Sequence, residues 1–310
     1  MAHGHLSDRR LTRRGFLGVG VAGGGVVLLG DRLARGAEEK TDVWVLHGTD
    51  KKKLMNAAMK VISENGGLGK DVKKLTLKVN AAWWRTPEQG ANTHPELVDA
   101  FLKGCKERGV KELVIPENPC HSAKRTFAKS GLLAVAKSNG VAMIDLKSDR
   151  KLFKETAIPK GKRLKTASVA RHFLETDALV NMPVAKHHGS AILTCAMKNW
   201  MGSVWDRRYW HRNSLHQCIA DYCTFIKPAW TVVDATRIML DRGPIGPSKN
   251  LKKPDLLIVS KDQVAADAYA STLFRGALPL EKIEYLKIAG QMKVGTADLS
   301  KIAVHKIEVT

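Results

Sequence analysis

From residue 42 onward, short apolar runs alternate with amphipathic stretches. Asp42–His47 reads as a strand, and Lys51–Asn65 as a helix stopped by Gly66 and Gly67. Leu75–Asn80 is a second strand. Pro95–Arg108 puts Leu97, Phe101, Leu102 and Cys105 on one helical face, and Gly109 ends it. Glu112–Pro116 predicts a strand, Ser122–Ser138 a helix and Val141–Leu146 a strand. Lys147–Lys165 is charged and loop-like, and Thr166–Ala170 is a short strand. Ala178–Val184 predicts a strand, then Ala191–Trp200 and Ser214–Ile226 predict helices. Thr231–Thr236 and Asp255–Ser260 read as strands, Gln263–Phe274 and Glu281–Ala289 as helices, and Ile302–Val309 as a closing strand. Repeated β-α-β units call for an α/β fold: a mostly parallel sheet flanked by helices, Rossmann-like, with right-handed crossovers. One such domain is expected over residues 38–310, with room for a subdomain break near 147–165.

The first 37 residues have a different character. Arg9, Arg10, Arg13 and Arg14 precede Gly18–Gly30, an uncharged run of Gly, Ala, Val and Leu. That run is shorter than the ~20 apolar residues a bilayer span needs. A basic start, a short apolar stretch and small residues near Ala34 and Ala37 describe a secretory leader. Thr12-Arg13-Arg14-Gly15-Phe16-Leu17 resembles the twin-arginine (Tat) consensus, an address read by a receptor. Residues 1–37 are therefore expected to be a twin-arginine signal peptide. The Tat translocase is the expected partner during export, and a periplasmic or other extracytoplasmic location follows. No transmembrane helix is expected in the mature chain.

Composition narrows the class. Of 310 residues, 44% are hydrophobic and 26% charged, which excludes a disordered chain, a collagen and a polytopic membrane protein. Five cysteines are too few for a disulfide scaffold. The formal net charge is +21. Six arginines and two aspartates in residues 1–37 account for +4, which leaves +17 on the remainder. Such a charge steers anionic partners. Outside the cytoplasm nucleic acid is not expected, and anionic lipid, an acidic envelope polymer or a small anionic substrate is.

Candidate chemistry gathers where strands end, which is where parallel α/β sheets bind ligands. The second strand leads into Lys78 and Asn80, with Thr93-His94-Pro95 closing the following loop. Thr93 also suits a helix N-cap, with Pro95 in the first turn. Glu117, Cys120 and His121 follow the third strand. Lys186 and His188 follow Ala178–Val184, and Lys198 and Asn199 come shortly after. Asp234 ends Thr231–Val233. Asp267 lies on an alanine-rich helix after Asp255–Ser260, either buried with a partner or facing the site. Lys78, Asn80, Lys186 and Asn199 are expected to bind anionic oxygens. His94, His188, Lys198 and Glu117 are the catalytic candidates, because histidine titrates near neutrality and lysine places positive charge where negative charge develops. Asp234 and Asp267 would orient these groups or hold a divalent metal through oxygen ligands. The histidines at 187, 188, 211 and 216 match no strong zinc spacing. Without a C-x-x-C run, a ferredoxin-type iron–sulfur cluster is not expected. Trp200–Trp210 reads either as a helix end packed on the core or as a lid carrying Arg207 and Arg208.

The run Val180-Asn181-Met182-Pro183-Val184-Ala185-Lys186-His187-His188, followed by Leu193-Thr194-Cys195-Ala196-Met197-Lys198-Asn199-Trp200-Met201-Gly202, resembles the domain of unknown function 362 family. That family's pattern is roughly N-x-P-K-x-K-x-H, then L-T-x-x-x-K-N-x-x-G. Lys78-Val79-Asn80 and Thr93-His94-Pro95 resemble its early elements, and Asp234, Gly243-Pro244 and Asp262 to Asp267 its late ones. The likeness covers about residues 75–276. It departs at Val184, where many members have lysine. Many members also append a ferredoxin-like domain, and this sequence holds no such cysteine runs. The resemblance implies no reaction. The sequence is thus expected to encode an exported enzyme acting on a small anion in a cleft lined by lysine, histidine and acids. The alternatives are a metal- or iron–sulfur-linked redox protein, and a non-catalytic binder of acidic envelope polymers.

Overall fold

The computed structural model describes residues 40–310 together with Met1, so the leader expected over residues 1–37 lies otherwise outside the described residues. In chain order the elements are β1 (Thr41–His47), α1 (Lys51–Glu64), β2 (Lys74–Val79), α2 (Pro95–Glu107), β3 (Glu112–Glu117), α3 (Ala123–Lys129), α4 (Leu132–Ser138), β4 (Ala142–Asp145), β5 (Phe153–Ala157) and β6 (Thr166–Ala170). Then come β7 (Ala178–Met182), β8 (Val184–His188), β9 (Ile192–Thr194), α5 (Ala196–Asn199), α6 (Arg207–Arg212), α7 (Leu215–Phe225), β10 (Trp230–Met239), β11 (Leu251–Lys252), β12 (Leu256–Ser260), α8 (Gln263–Ser271), α9 (Glu284–Gln291) and β13 (Ile302–Glu308).

Eight strands form a continuous sheet in the order β13-β1-β12-β10-β7-β2-β3-β4. All pairings along it are parallel except those of β12, which runs against both β1 and β10. The fold is therefore α/β with a mostly parallel, mixed sheet flanked by helices. Alternation along the strands sends side chains to two separate cores. In β10, Trp230 and Val232 join the cluster under α1 and α2, while Val233 and Ala235 join the one under α5, α7, α8 and α9. Val43 and Leu46 of β1 divide in the same way. This two-sided burial is what makes the strands read as nearly continuous apolar runs.

Four segments depart from the expected elements. The helix expected over Ser122–Ser138 is two helices, α3 and α4, because Gly131 adopts φ +77 between them and meets Pro95 closely. The charged stretch 147–165 is not all loop. It contains β5, which pairs antiparallel with β6, and the buried carboxylate of Asp221 anchors it by accepting the N–H groups of Lys162, Arg163 and Leu164. The helix expected over Ala191–Trp200 begins as strand β9, folded back on β8 with Lys186 opposite Thr194. Gly189 and Ser190 form the turn, and only residues 196–199 are α-helical. The strand expected to end at Thr236 continues to Met239, so Asp234 lies inside it.

The reversal of β12 bears on the site. Its C-terminal end, with Asp262 and the start of α8, lies on the side of the sheet where β2, β3 and β7 begin, opposite to their C-terminal ends. The expectation of five strand ends converging on one cleft fails for this strand.

Candidate functional site

Beyond the ends of β2, β3 and β7 lies a buried chain of polar side chains. Lys78, the penultimate residue of β2, donates to Glu117 Oε2 at 2.8 Å, and both side chains are essentially inaccessible. Glu117 Oε2 also accepts the Ala81 N–H at 2.9 Å. Asn80 Nδ2 donates to Asn199 Oδ1 at 2.9 Å, and Asn199 Nδ2 donates to Asn181 Oδ1 at 2.8 Å. Lys186 Nζ donates to Asn80 Oδ1 at 2.7 Å and to the Ala91 carbonyl. Strand ends β2 and β3, the hairpin β8–β9 and helix α5 are thereby tied at one point. Each link answers a buried polar group that would otherwise cost about 1–3 kcal/mol.

Gly202 closes this network from above. A Cβ there would lie 2.0 Å from Glu117 Oε1 and 2.8 Å from Lys78 Nζ, so only glycine lets the backbone cover the ion pair. The short helix α5 is started by Asp267, whose carboxylate accepts the N–H groups of Ala196 (2.6 Å) and Met197 (3.0 Å).

Above the network is a cavity of about 140 Å³. Asn80, Glu117, Lys186, His188, Lys198 and Asn199 line it, so six of the ten nominated residues meet there. Lys78 sits directly behind, bonded to Glu117 and 3.4 Å from Asn199 Oδ1. Trp83, Asn118, Cys120, Thr194, Arg207, His211 and Pro244 complete the wall among others. Arg207 and His211 stand four residues apart on α6, an i,i+4 spacing that was legible within the aromatic segment but pointed to no role by itself. In that segment both expectations hold in part. Trp200 and Trp210 are core, with Trp200 Nε1 donating to Gln263, while Arg207 and His211 face the cavity.

The electrostatics are one-sided. Burial lowers the Lys186 pKa to about 7, with the Lys198 charge adding to the effect. Burial also lowers Lys198 to about 8, where Cys120 opposes the shift and Arg207 adds to it. Lys78 is lowered by burial and pulled back up by Glu117. His188 is pushed far down by burial, then by Lys198 and His211, so it is a neutral imidazole. Its Nδ1 accepts the N–H groups of Ser190 and Ala191, both at 3.2 Å, which leaves the proton on Nε2. His188 and His211 stack with centroids 6.2 Å apart.

Asn118 Oδ1 and Thr194 Oγ1, buried atoms of two residues that line the cavity, have no hydrogen-bond partner. Native proteins seldom leave such atoms unpaired. Among the cavity cations, Lys186 and Arg207 are spent on protein oxygens, Arg207 on the carbonyls of Asn118 and Pro119. Lys198 Nζ bonds to none of the described residues.

Three nominated residues lie elsewhere. His94, and not Thr93, is the N-cap of α2. Its Nδ1 accepts the Glu96 N–H at 3.3 Å, and burial with the Arg237 charge lowers its pKa. Thr93 instead stitches β2 to β7, accepting from Asn80 N and donating to the Met182 carbonyl. Asp234 is saturated by His94 N, Thr236 N, Thr236 Oγ1 and Arg237. Burial would raise its pKa, but Arg237 and these donors hold it below the usual carboxylate range. Asp267 caps α5, and burial raises it to about 7. The oxygens that were to hold a cation are filled by donors, and the two aspartates do not meet. Among the described residues, no three His, Cys, Asp or Glu side chains converge in a metal-binding arrangement. His187 Nδ1 accepts the Gly243 N–H and His216 Nδ1 the Tyr285 N–H, so the four histidines do not form one cluster.

The family described as Domain of unknown function (DUF362) matches residues 75–272. The thylakoid-associated protein sll1697 of Synechocystis sp. is 21% identical over 253 residues, 78% of this chain and 75% of that protein. A crystal structure of a Thermotoga maritima protein superposes with a TM-score of 0.46 at 13% identity, covering 79% of this chain and 60% of that one. The lactate racemase apoprotein of Thermoanaerobacterium thermosaccharolyticum superposes with a TM-score of 0.48 at 12% identity, over 76% and 58%. The chain thus spans only about 60% of the length of these solved structures.

Proposed function

The chain belongs to the domain of unknown function 362 family, and on that premise we propose that it is an enzyme acting on a small anion in the cavity above the Lys78–Glu117 network. The observation that carries this is Lys198 Nζ, which faces the cavity with no acceptor among the described residues. It is a donor that an anion's oxygen would satisfy. Lys186 and Arg207 add positive potential while already held in place. Neutral His188 presents Nε2–H as a donor to a developing oxyanion. Lys198, near neutrality in pKa, takes up or delivers a proton. At about 140 Å³ the cavity suits a molecule of a few carbons, since drug-sized ligands occupy ~300 Å³ or more.

Thermal denaturation with a panel of small carboxylates and inorganic phosphate tests this. Saturation at ~100 Kd adds about 2.7 kcal/mol to stability. A stabilising anion whose effect is lost in Lys198→Met supports the assignment. A panel that stabilises wild type and Lys198→Met equally refutes it.

Export through the twin-arginine route is part of the same proposal, and Arg13-Arg14-Gly15-Phe16-Leu17 supports it. Cell fractionation of an Arg13→Lys/Arg14→Lys chain tests it, and undiminished export of that variant would refute it.

A further inference from the structure

Lys198 differs from the other cations around the cavity in a way that anion binding alone leaves unexplained. Lys186 and Arg207 are each held by two protein oxygens, whereas Lys198 Nζ has no acceptor among the described residues. Its backbone is nevertheless fixed. Asp267 clamps the first two N–H groups of α5, and the neighbouring Asn199 is held by Asn80, Asn181 and Lys78. A rigidly mounted amine with no acceptor among the described residues, in a partly buried site crowded by like charges, is the arrangement that turns lysine into a nucleophile. The pKa of about 8 agrees with that geometry.

The surroundings complete a carbonyl site. His188 Nε2–H can donate to a carbonyl oxygen without titrating. Arg207 and Lys186 supply the field for a carboxylate.

We propose that Lys198 forms an imine with a small 2-oxo acid bound in this cavity. The inference rests on the anion-binding function proposed above and names its substrate class. The step balances without an oxidant or co-reactant. Lys198 Nζ attacks the carbonyl carbon, a C–N bond forms, and the carbonyl oxygen becomes a hydroxyl. The C–O bond then breaks and the oxygen leaves as water. Overall, ammonium and ketone become iminium and water, and the two protons lost from nitrogen depart on the oxygen.

Reductive trapping of the full chain tests this, with pyruvate and with glyoxylate, sodium cyanoborohydride at pH 7.5, and peptide mass spectrometry. The exposed Lys124 and Lys249 serve as internal references. A pKa near 8 instead of about 10.4 raises the free-amine fraction by on the order of 10², and lower basicity returns part of that. Lys198 is expected to label about tenfold faster than either reference, and Lys198→Arg to remove only that label. If both acids label Lys198 no faster than Lys124 and Lys249, the imine is overturned. Thermal shift by the same acids then separates the two ideas. A shift that persists keeps the anion site and discards the imine, whereas its absence removes both.

Discussion

Replacing Glu117 with glutamine deletes one charge from the enclosed pair with Lys78 while keeping the shape. The two side chains are 0% and 2% exposed and 2.8 Å apart, so water cannot take over the lost partner. Breaking such a buried pair from one side costs about 3–5 kcal/mol. With an unfolding entropy of ~2.1 cal/mol/K per residue over ~270 described residues, Tm should fall by about 5–9 °C. Lys78 has one escape, which is to give up its proton. Burial already holds its pKa below the ordinary lysine value, and Glu117 is the main group raising it again. A lysine with a folded pKa below its unfolded one binds fewer protons when folded, so stability rises with pH between the two values. In Glu117→Gln the folded pKa drops further and that window opens at lower pH than in wild type. The deficit is thus full below the variant's folded pKa. It shrinks by up to ~1.4 kcal/mol per pH unit until the wild-type folded value is reached. Calorimetry or urea titration of both proteins at pH 7 and pH 9 measures this. A variant within about 1 kcal/mol of wild type at pH 7 refutes the reasoning, and so does a deficit that grows from pH 7 to pH 9.

Other outcomes follow from the same geometry. Gly202→Ala forces a methyl group to 2.0 Å from Glu117 Oε1 and should cost about 1–3 kcal/mol or more by calorimetry; an unchanged Tm would contradict the close packing. Pyruvate affinity by titration calorimetry should fall at least about tenfold between pH 6 and pH 9, as Lys186 near 7 and Lys198 near 8 lose their charge. Constant or rising affinity over that range would remove both lysines from the binding step. Iodoacetamide should alkylate the native protein at Cys120, since Cys105, Cys195, Cys218 and Cys223 are buried, and a bound anion should slow it; mass spectrometry after brief exposure decides, with modification of the buried four counting against the packing.

Periodicity located α1, α2 and α7 nearly to the residue, because each buries a continuous stripe against the sheet. It failed where structure depends on a partner. β5 is mostly exposed and exists through its ladder with β6, so nothing in Phe153–Ala157 marks it as a strand. The apolar run from Ile192 to Cys195 suits helix or strand, and the Gly189-Ser190 turn with His188 Nδ1 behind it decided for a hairpin. For the site, polarity at strand ends was legible and its destination was not. Lys78, Asn80, Glu117, Lys186 and Asn199 are joined in one network. His94, Asp234 and Asp267 look equivalent on paper, but the His94 Nδ1 is consumed by the Glu96 N–H two residues on, and the two aspartates accept N–H groups distant in sequence. Asn118 and Thr194 escaped nomination because an orphaned oxygen shows only in three dimensions.

The cavity is built in two tiers that can be exchanged separately. Its floor hangs on strand ends and on α5, cross-bonded through Lys78, Asn80, Glu117, Lys186 and Asn199. Its rim belongs to loops and to α6: Trp83, Cys120, Arg207, His211 and Pro244. Loops tolerate replacement far better than the elements they join. Replacing residues 83–86 or the exposed residues of α6 would therefore reshape what enters while leaving the charged floor intact. The molecule is in that sense a ready chassis, in which new ligand preferences can be installed by swapping surface segments instead of redesigning the interior.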